Sequence, residues 1–124
     1  MARKYVGGYW DSVVKHYEFN EPHLKEIPGY EHHGLMYDRL VAPGGYQQME
    51  DFFLDLQLWG TPEQVTEQII NLQDEMYMDG YMGVFSYAGM PLEEAERSMH
   101  LFASKVMPEL QALPAVHDRL GVPA

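Results

Sequence analysis

Seven consecutive residues, Tyr81-Met82-Gly83-Val84-Phe85-Ser86-Tyr87, carry no charge and no polar face. A run of this length and composition, rich in aromatic and branched residues, fits a β-strand covered on both sides. Such a strand cannot stand alone. Its backbone N–H and C=O groups need paired neighbours, and each face needs a covering layer. The rest of the chain supplies few other strand signals, so the missing neighbours are expected from another polypeptide or from a second copy.

The flanking segments read as helices. Thr61-Pro62-Glu63-Gln64 combines an N-cap hydroxyl, a proline at the first helical position, an acidic first turn and a capping-box glutamine. Val65, Ile69, Leu72 and Met76 then follow at helical spacing, and Asp79-Gly80 offers a left-handed stop. Beyond the strand, Pro91 opens a second long helix with Glu93, Glu94 and Glu96 near its positive end. Its buried stripe is predicted to be Leu92, Ala95, Met99, Phe102 and Val106, and Pro108 should end or kink it near Met107. Helix, buried strand, helix is the repeating element of an α/β protein.

Upstream, Lys4 to Phe19 places Val6, Trp10, Val13 and Tyr17 on one helical face, with Gly7 and Gly8 weakening the first turn. Residues 20–45 are interrupted by Pro22, Pro28, Gly29, Gly34, Pro43, Gly44 and Gly45, and read as a long irregular connection with a short helix at Leu35 to Leu40. Tyr46 to Trp59 is ambiguous in period, with helix favoured in its first half. The expected organisation is one domain over 1–124: a helix at 1–19, an irregular loop with short helices at 20–58, helix-strand-helix at 59–113, and a tail at 114–124 carrying three breakers.

Composition narrows the function classes. Eight basic and 19 acidic residues give a formal net charge of −11, with no basic run. Nucleic acid and anionic membranes are therefore not expected as partners, since both recognise a basic footprint. The chain has no cysteine, which removes disulfides, thiolate metal sites and thiol nucleophiles. Neither a signal-peptide pattern nor a run of 18 apolar residues is visible, and a cytoplasmic location is expected.

Most local groupings have ordinary explanations. His23, His32 and His33 near Glu21 and Glu31 could offer nitrogen and oxygen ligands, but adjacent side chains diverge, and solvated loop histidines are the preferred reading; no metal is assigned. His16 and His100 read as packing or surface residues. Met76, Met78, Met82, Met90 and Met99 gather around the strand and its helices as core filling or interface. Gly7-Gly8 and Gly44-Gly45 do not follow a strand into a helix as phosphate loops do. Ser98 and Ser104 fall mid-helix, without the oriented base and oxyanion site a nucleophile needs. No catalytic residue is assigned.

Three blocks carry a family resemblance: Gly60-Thr61-Pro62-Glu63-Gln64-Val65, the strand Val84-Phe85-Ser86-Tyr87, and the run from Ser98-Met99-His100-Leu101-Phe102 to Pro108-Glu109-Leu110. In this order and spacing, over Trp59 to Leu110, the chain resembles the C-terminal portion of the bacterial luciferase-like, flavin-dependent monooxygenases. Tyr9-Trp10, His16-Tyr17-Glu18 and Gly29-Tyr30-Glu31 look like the preceding stretch in some members. The resemblance implies an α/β fold: a helix-rich fragment of a (β/α)8 barrel, comprising the last one or two βα units plus an irregular insertion, and not a complete barrel, which needs about 250 residues.

It implies as cofactor a reduced flavin, FMN or a deazaflavin. Pro62 to Met78 would be the penultimate barrel helix, Tyr81 to Tyr87 the eighth strand, and Pro91 to Met107 the last helix. Barrel sites lie at the C-terminal ends of strands, which makes Phe85, Ser86, Tyr87 and Gly89 the expected cofactor-binding residues. The partner would be a larger barrel subunit or a second copy in a homo-oligomer. The alternative is a non-catalytic oligomerisation or interaction module that keeps the barrel's terminal elements.

Overall fold

The computed structural model describes residues 2–78, 80–115, 118 and 121. It is helix-rich, and no strand occurs among the described residues. The chain divides into two compact units, residues 1–57 and 58–124.

The first unit contains α1 (Ala2–His16), a 3-10 turn (Pro22–Glu26), α2 (Glu31–Val41) and α3 (Gly45–Asp55). Trp10 and Val14 of α1 and Leu40 of α2 form its core, with Phe19, Met36, Met49 and Phe53 packed around them. The Trp10 and Phe53 rings lie 5.1 Å apart in a tilted contact. The buried line of α1 runs through Val6, Trp10 and Val14, while Val13 is half-buried and Tyr17, beyond the helix end, is exposed. Gly7 of α1 faces the Glu50 side chain of α3, whose Oε1 would have to swing aside for a Cβ there.

The stretch 20–58 is more regular than its prolines and glycines indicate. Its breakers lie between helices. Ala42-Pro43-Gly44-Gly45 is a tight turn closed by the Gly45 N–H donating to the Ala42 carbonyl at 2.8 Å, with Pro43 second and Gly44 third at φ 73° and ψ 0°. This is the type II pattern, which requires a residue tolerant of positive φ at that third position. Gly34 is buried inside α2 because the Lys25 backbone and side chain approach it closely.

In the second unit α4 spans Pro62–Met76. Its predicted start is realised in full: Gln64 N–H donates to Thr61 Oγ1 at 3.3 Å, and Thr61 N–H donates to Gln64 Oε1 at 2.9 Å. Its stop is not at Asp79-Gly80. Asp79 lies outside the described residues, Gly80 shows no positive φ, and the left-handed cap is Tyr77 at φ 54° and ψ 40°. The buried face is centred on Thr66 and Ile69; Met76, expected at the end of the stripe, is 66% exposed.

From Leu92 the chain stays helical to Gln111 as α5 (Leu92–Leu101), a π segment (Phe102–Val106) and α6 (Met107–Gln111). Pro108 neither ends this rod nor leaves it a simple α-helix. Proline has no N–H and its ring collides with the carbonyl four residues back, and the wider π turn just before it accommodates both. The Met107 N–H accordingly donates to the Phe102 carbonyl, five residues earlier. Ala95 and Val106 are buried, whereas Leu92 and Met99, both predicted in the stripe, are exposed. The tail expected at 114–124 falls largely outside the described residues.

The predicted strand Tyr81 to Tyr87 needs correction. The segment is not helical, yet it joins no ladder among the described residues. Nor is it covered on both faces: Gly83, Phe85 and Tyr87 are half-buried, while Met82 and Val84 are 90% and 72% exposed and Ser86 is also exposed. Side chains that alternate with a period of two are those of an extended chain. No neighbouring strand lies beside the segment among the described residues, and one face remains in solvent.

Two outcomes test the first unit. A Cβ at Gly45 would fall 1.7 Å from the Arg39 carbonyl oxygen at the end of α2. Gly45→Ala is expected to cost about 1–3 kcal/mol in chemical denaturation, because backbone must move to admit it. The Tyr46 hydroxyl donates to Asp11 Oδ1 at 3.0 Å and Lys15 Nζ lies 2.6 Å from Asp11 Oδ2. Burial, and then the bond to Asp11, pushes the Tyr46 hydroxyl from 10.0 up to about 12. The folded state thus favours the protonated phenol, a contribution present in full below pH 10 and lost as pH rises from 10 to about 12. Tyr46→Phe should unfold more readily than the parent at neutral pH, and the gap in thermal midpoint should close across that alkaline window.

Candidate functional site

The second unit contains a cleft of about 300 Å³. Ile69 and Gln73 of α4 form one wall, and Met78, Gly80 and Tyr81 of the segment after it form another. Phe102 of the π segment, with Met107, Leu110, Gln111 and Leu113 beyond it, completes the lining. This volume is at the small end of the range for small-molecule sites, and an apolar wall with few polar groups is their usual composition.

Phe102 organises the aromatic side of the cleft. Its ring centroid is 6.1 Å from that of Tyr81 in a tilted contact and 5.3 Å from that of Phe85 in an edge-on contact. Both geometries suit the ring quadrupoles. Thus the half-buried face of residues 81–87 rests on the start of the π turn, and the opposite face is left outward. Burial raises the Tyr81 hydroxyl above its ordinary value, with the neighbouring Tyr87 adding to the shift, and burial does the same for Tyr87. Both phenols therefore stay protonated at neutral pH.

The segment ends in a tight reversal. The Met90 N–H donates to the Tyr87 carbonyl at 3.0 Å, and the two residues between them, Ala88 at φ 50° and Gly89 at φ 69°, are both left-handed. Positive φ at both central positions is the type I′ pattern typical of hairpins. The chain then enters α5, whose first turn carries Glu93 and Glu94, favourable at the positive helix end.

The four residues expected to contact a cofactor are spread over this feature. Phe85 reaches the cleft's aromatic wall through Phe102, and Tyr87 is half-buried, while Ser86 and Gly89 are exposed at and beyond the end of the segment. None of the four lines the cleft itself. Tyr81, Phe102, Met78 and Gln73, which do line it, come from the start of this segment, the residues just before it and the helices on either side. The aromatic composition of 81–87 was visible in the sequence, but the contribution of Phe102 depends on the π turn.

The histidine cluster is in the first unit. His23 Nε2 lies 3.1 Å from Glu18 Oε2, and the His33 ring is 5.4 Å from Phe19 and 5.3 Å from Tyr30. Its Nδ1 is buried without a hydrogen-bond partner. Among the described residues no group of three or more histidine, aspartate or glutamate side chains converges as metal ligands do. Among the same residues no helix is long and apolar enough to cross a membrane.

Compared with family models, with characterised proteins and with solved structures, the chain matches none of them.

The role of Phe102 is open to direct measurement. Phe102→Ala should cost about 2 kcal/mol, less than for a fully enclosed phenylalanine because the ring is half-buried. It should also speed chymotryptic cleavage within residues 81–87, because the ring no longer anchors Tyr81 and Phe85. An unchanged cleavage rate there would show that the ring does not hold the segment in place.

Proposed function

We propose that this chain is a component of a flavin-dependent monooxygenase or related oxidoreductase, supplying the terminal helix-strand-helix portion of a luciferase-like (β/α)8 barrel. Residues 81–87 would be a barrel strand that acquires its neighbours from a partner chain or a second copy. Phe85, Ser86, Tyr87 and Gly89 would then stand at the flavin end. The carrying observation is the outward face of Met82 and Val84 on an unladdered, period-two segment set against an aromatic cleft.

The residues fit one part of a flavin better than another. Tyr81 and Phe102 offer aromatic surface, and Met78 and Met107 offer polarisable thioethers, all suited to a planar ring system. Among the described residues no cationic side chain lines the cleft, so a phosphate would be held by groups outside this lining. Bound flavin would supply the redox chemistry; this chain would provide part of the wall that orients the ring and excludes water.

The exposed apolar residues favour a second reading as well. Met82, Val84 and Leu92 lie close in sequence and all face solvent, as expected of an interaction module that uses barrel-derived elements for assembly without catalysis. Titration with FMN, oxidised and reduced, across protein concentrations spanning self-association separates the two. Saturable uptake in the associated state, with quenching of flavin fluorescence, is expected for the oxidoreductase component. Association without any uptake overturns the flavin reading in favour of the module.

A further inference from the structure

The longest run of uncharged residues in the chain is Gly80 to Leu92, and residues 81–87 lie within it. Acidic side chains outnumber basic ones 19 to 8, and the net charge of −11 opposes the approach of two copies in general. Residues 80–92 contribute none of that charge. The same stretch carries the exposed Met82, Val84 and Ser86, on a backbone that makes no ladder.

We propose that two copies of this chain associate through residues 82–86, each pairing its segment antiparallel with the other's across a two-fold axis at Val84. The proposal rests on the reading of this segment as a β element in need of a neighbour, and it names that neighbour as a second copy. An unpaired strand edge is a template for another strand. A two-fold contact brings the same patch together from both sides, so the neutral segment of one copy meets the neutral segment of the other.

Centring the axis on Val84 uses the whole segment symmetrically and fixes the register. Val84 faces Val84 of the second copy, and Met82 faces Ser86. All three exposed side chains of each copy then lie on one side of the two-stranded ribbon, with the half-buried Gly83, Phe85 and Tyr87 on the other. A second copy with this geometry satisfies the backbone along one edge without burying a charge.

The chain's lack of cysteine makes the register measurable. Opposed residues of an antiparallel pair have Cα atoms about 4.5 or 5.5 Å apart, within the span a disulfide bridges. Val84→Cys in the full chain should therefore give a covalent dimer under mild oxidation. Met82→Cys alone should not, because its copies would be separated by four residues, roughly 13 Å. Mixing Met82→Cys with Ser86→Cys should restore cross-linking. Random collision would favour Met82→Cys, since Met82 is 90% exposed against 72% for Val84.

Val84→Lys places like charges opposite each other and should raise the dimer dissociation constant roughly tenfold or more by light scattering. Equal cross-linking from all three single-cysteine variants overturns the proposal, and so does a parent chain that stays monomeric at high micromolar concentration. A dimer with this cross-linking pattern that takes up no flavin leaves the pairing standing and removes the flavin reading. Flavin uptake by a strictly monomeric chain does the reverse.

Discussion

An extended backbone has to place its N–H and C=O groups somewhere, and between Gly80 and Met90 the second unit meets this demand on only some of its surface. The Phe102 ring holds Tyr81 and Phe85 from one side, and a left-handed pair at Ala88 and Gly89 turns the chain back toward α5. α4 and the π-containing rod provide the support on which the cleft is built. What helices cannot supply is a strand's lateral hydrogen bonding, and for that reason the helix-rich unit leaves this segment without a ladder.

The legibility of the sequence varied with how local the cause was. Thr61 and Gln64 satisfy one another across three residues, and their capping box could be read directly. Trp10 and Ile69 likewise fall in their helices' buried faces as their spacing indicates. The later members of the stripes are different. Met76, Leu92 and Met99 have the right spacing, yet among the described residues they remain exposed. Helical periodicity identifies a potential face, while burial also depends on what lies opposite it.

The misplaced boundaries have similar causes. Glycine at position 34 obscured α2, although there it permits close packing against Lys25, and Pro43 and Gly44 mark a turn between two helices. Tyr77 takes the left-handed cap despite the nearby glycine. Such a conformation is uncommon for a bulky side chain and could not be anticipated from residue preference. As for the cleft, Tyr81 and Met78 stand out in the sequence, but the meeting of Tyr81 with Phe102 joins positions separated by a turn and most of a helix.

The π segment has a consequence for changes in chain length. A π turn accommodates one residue more than the α-helical turn it replaces, and each residue advances an α-helix by about 100°. Everything downstream is therefore rotated relative to an uninterrupted helix, including Leu110 and Gln111 in the cleft wall. Removing a single amino acid between Phe102 and Val106 would let an ordinary α-helical turn take the place of the π turn while Leu110 and Gln111 keep the face they now present. The π turn thus absorbs one residue of length, and the spacing between Phe102 and Leu110 carries as much information as the identities at either end.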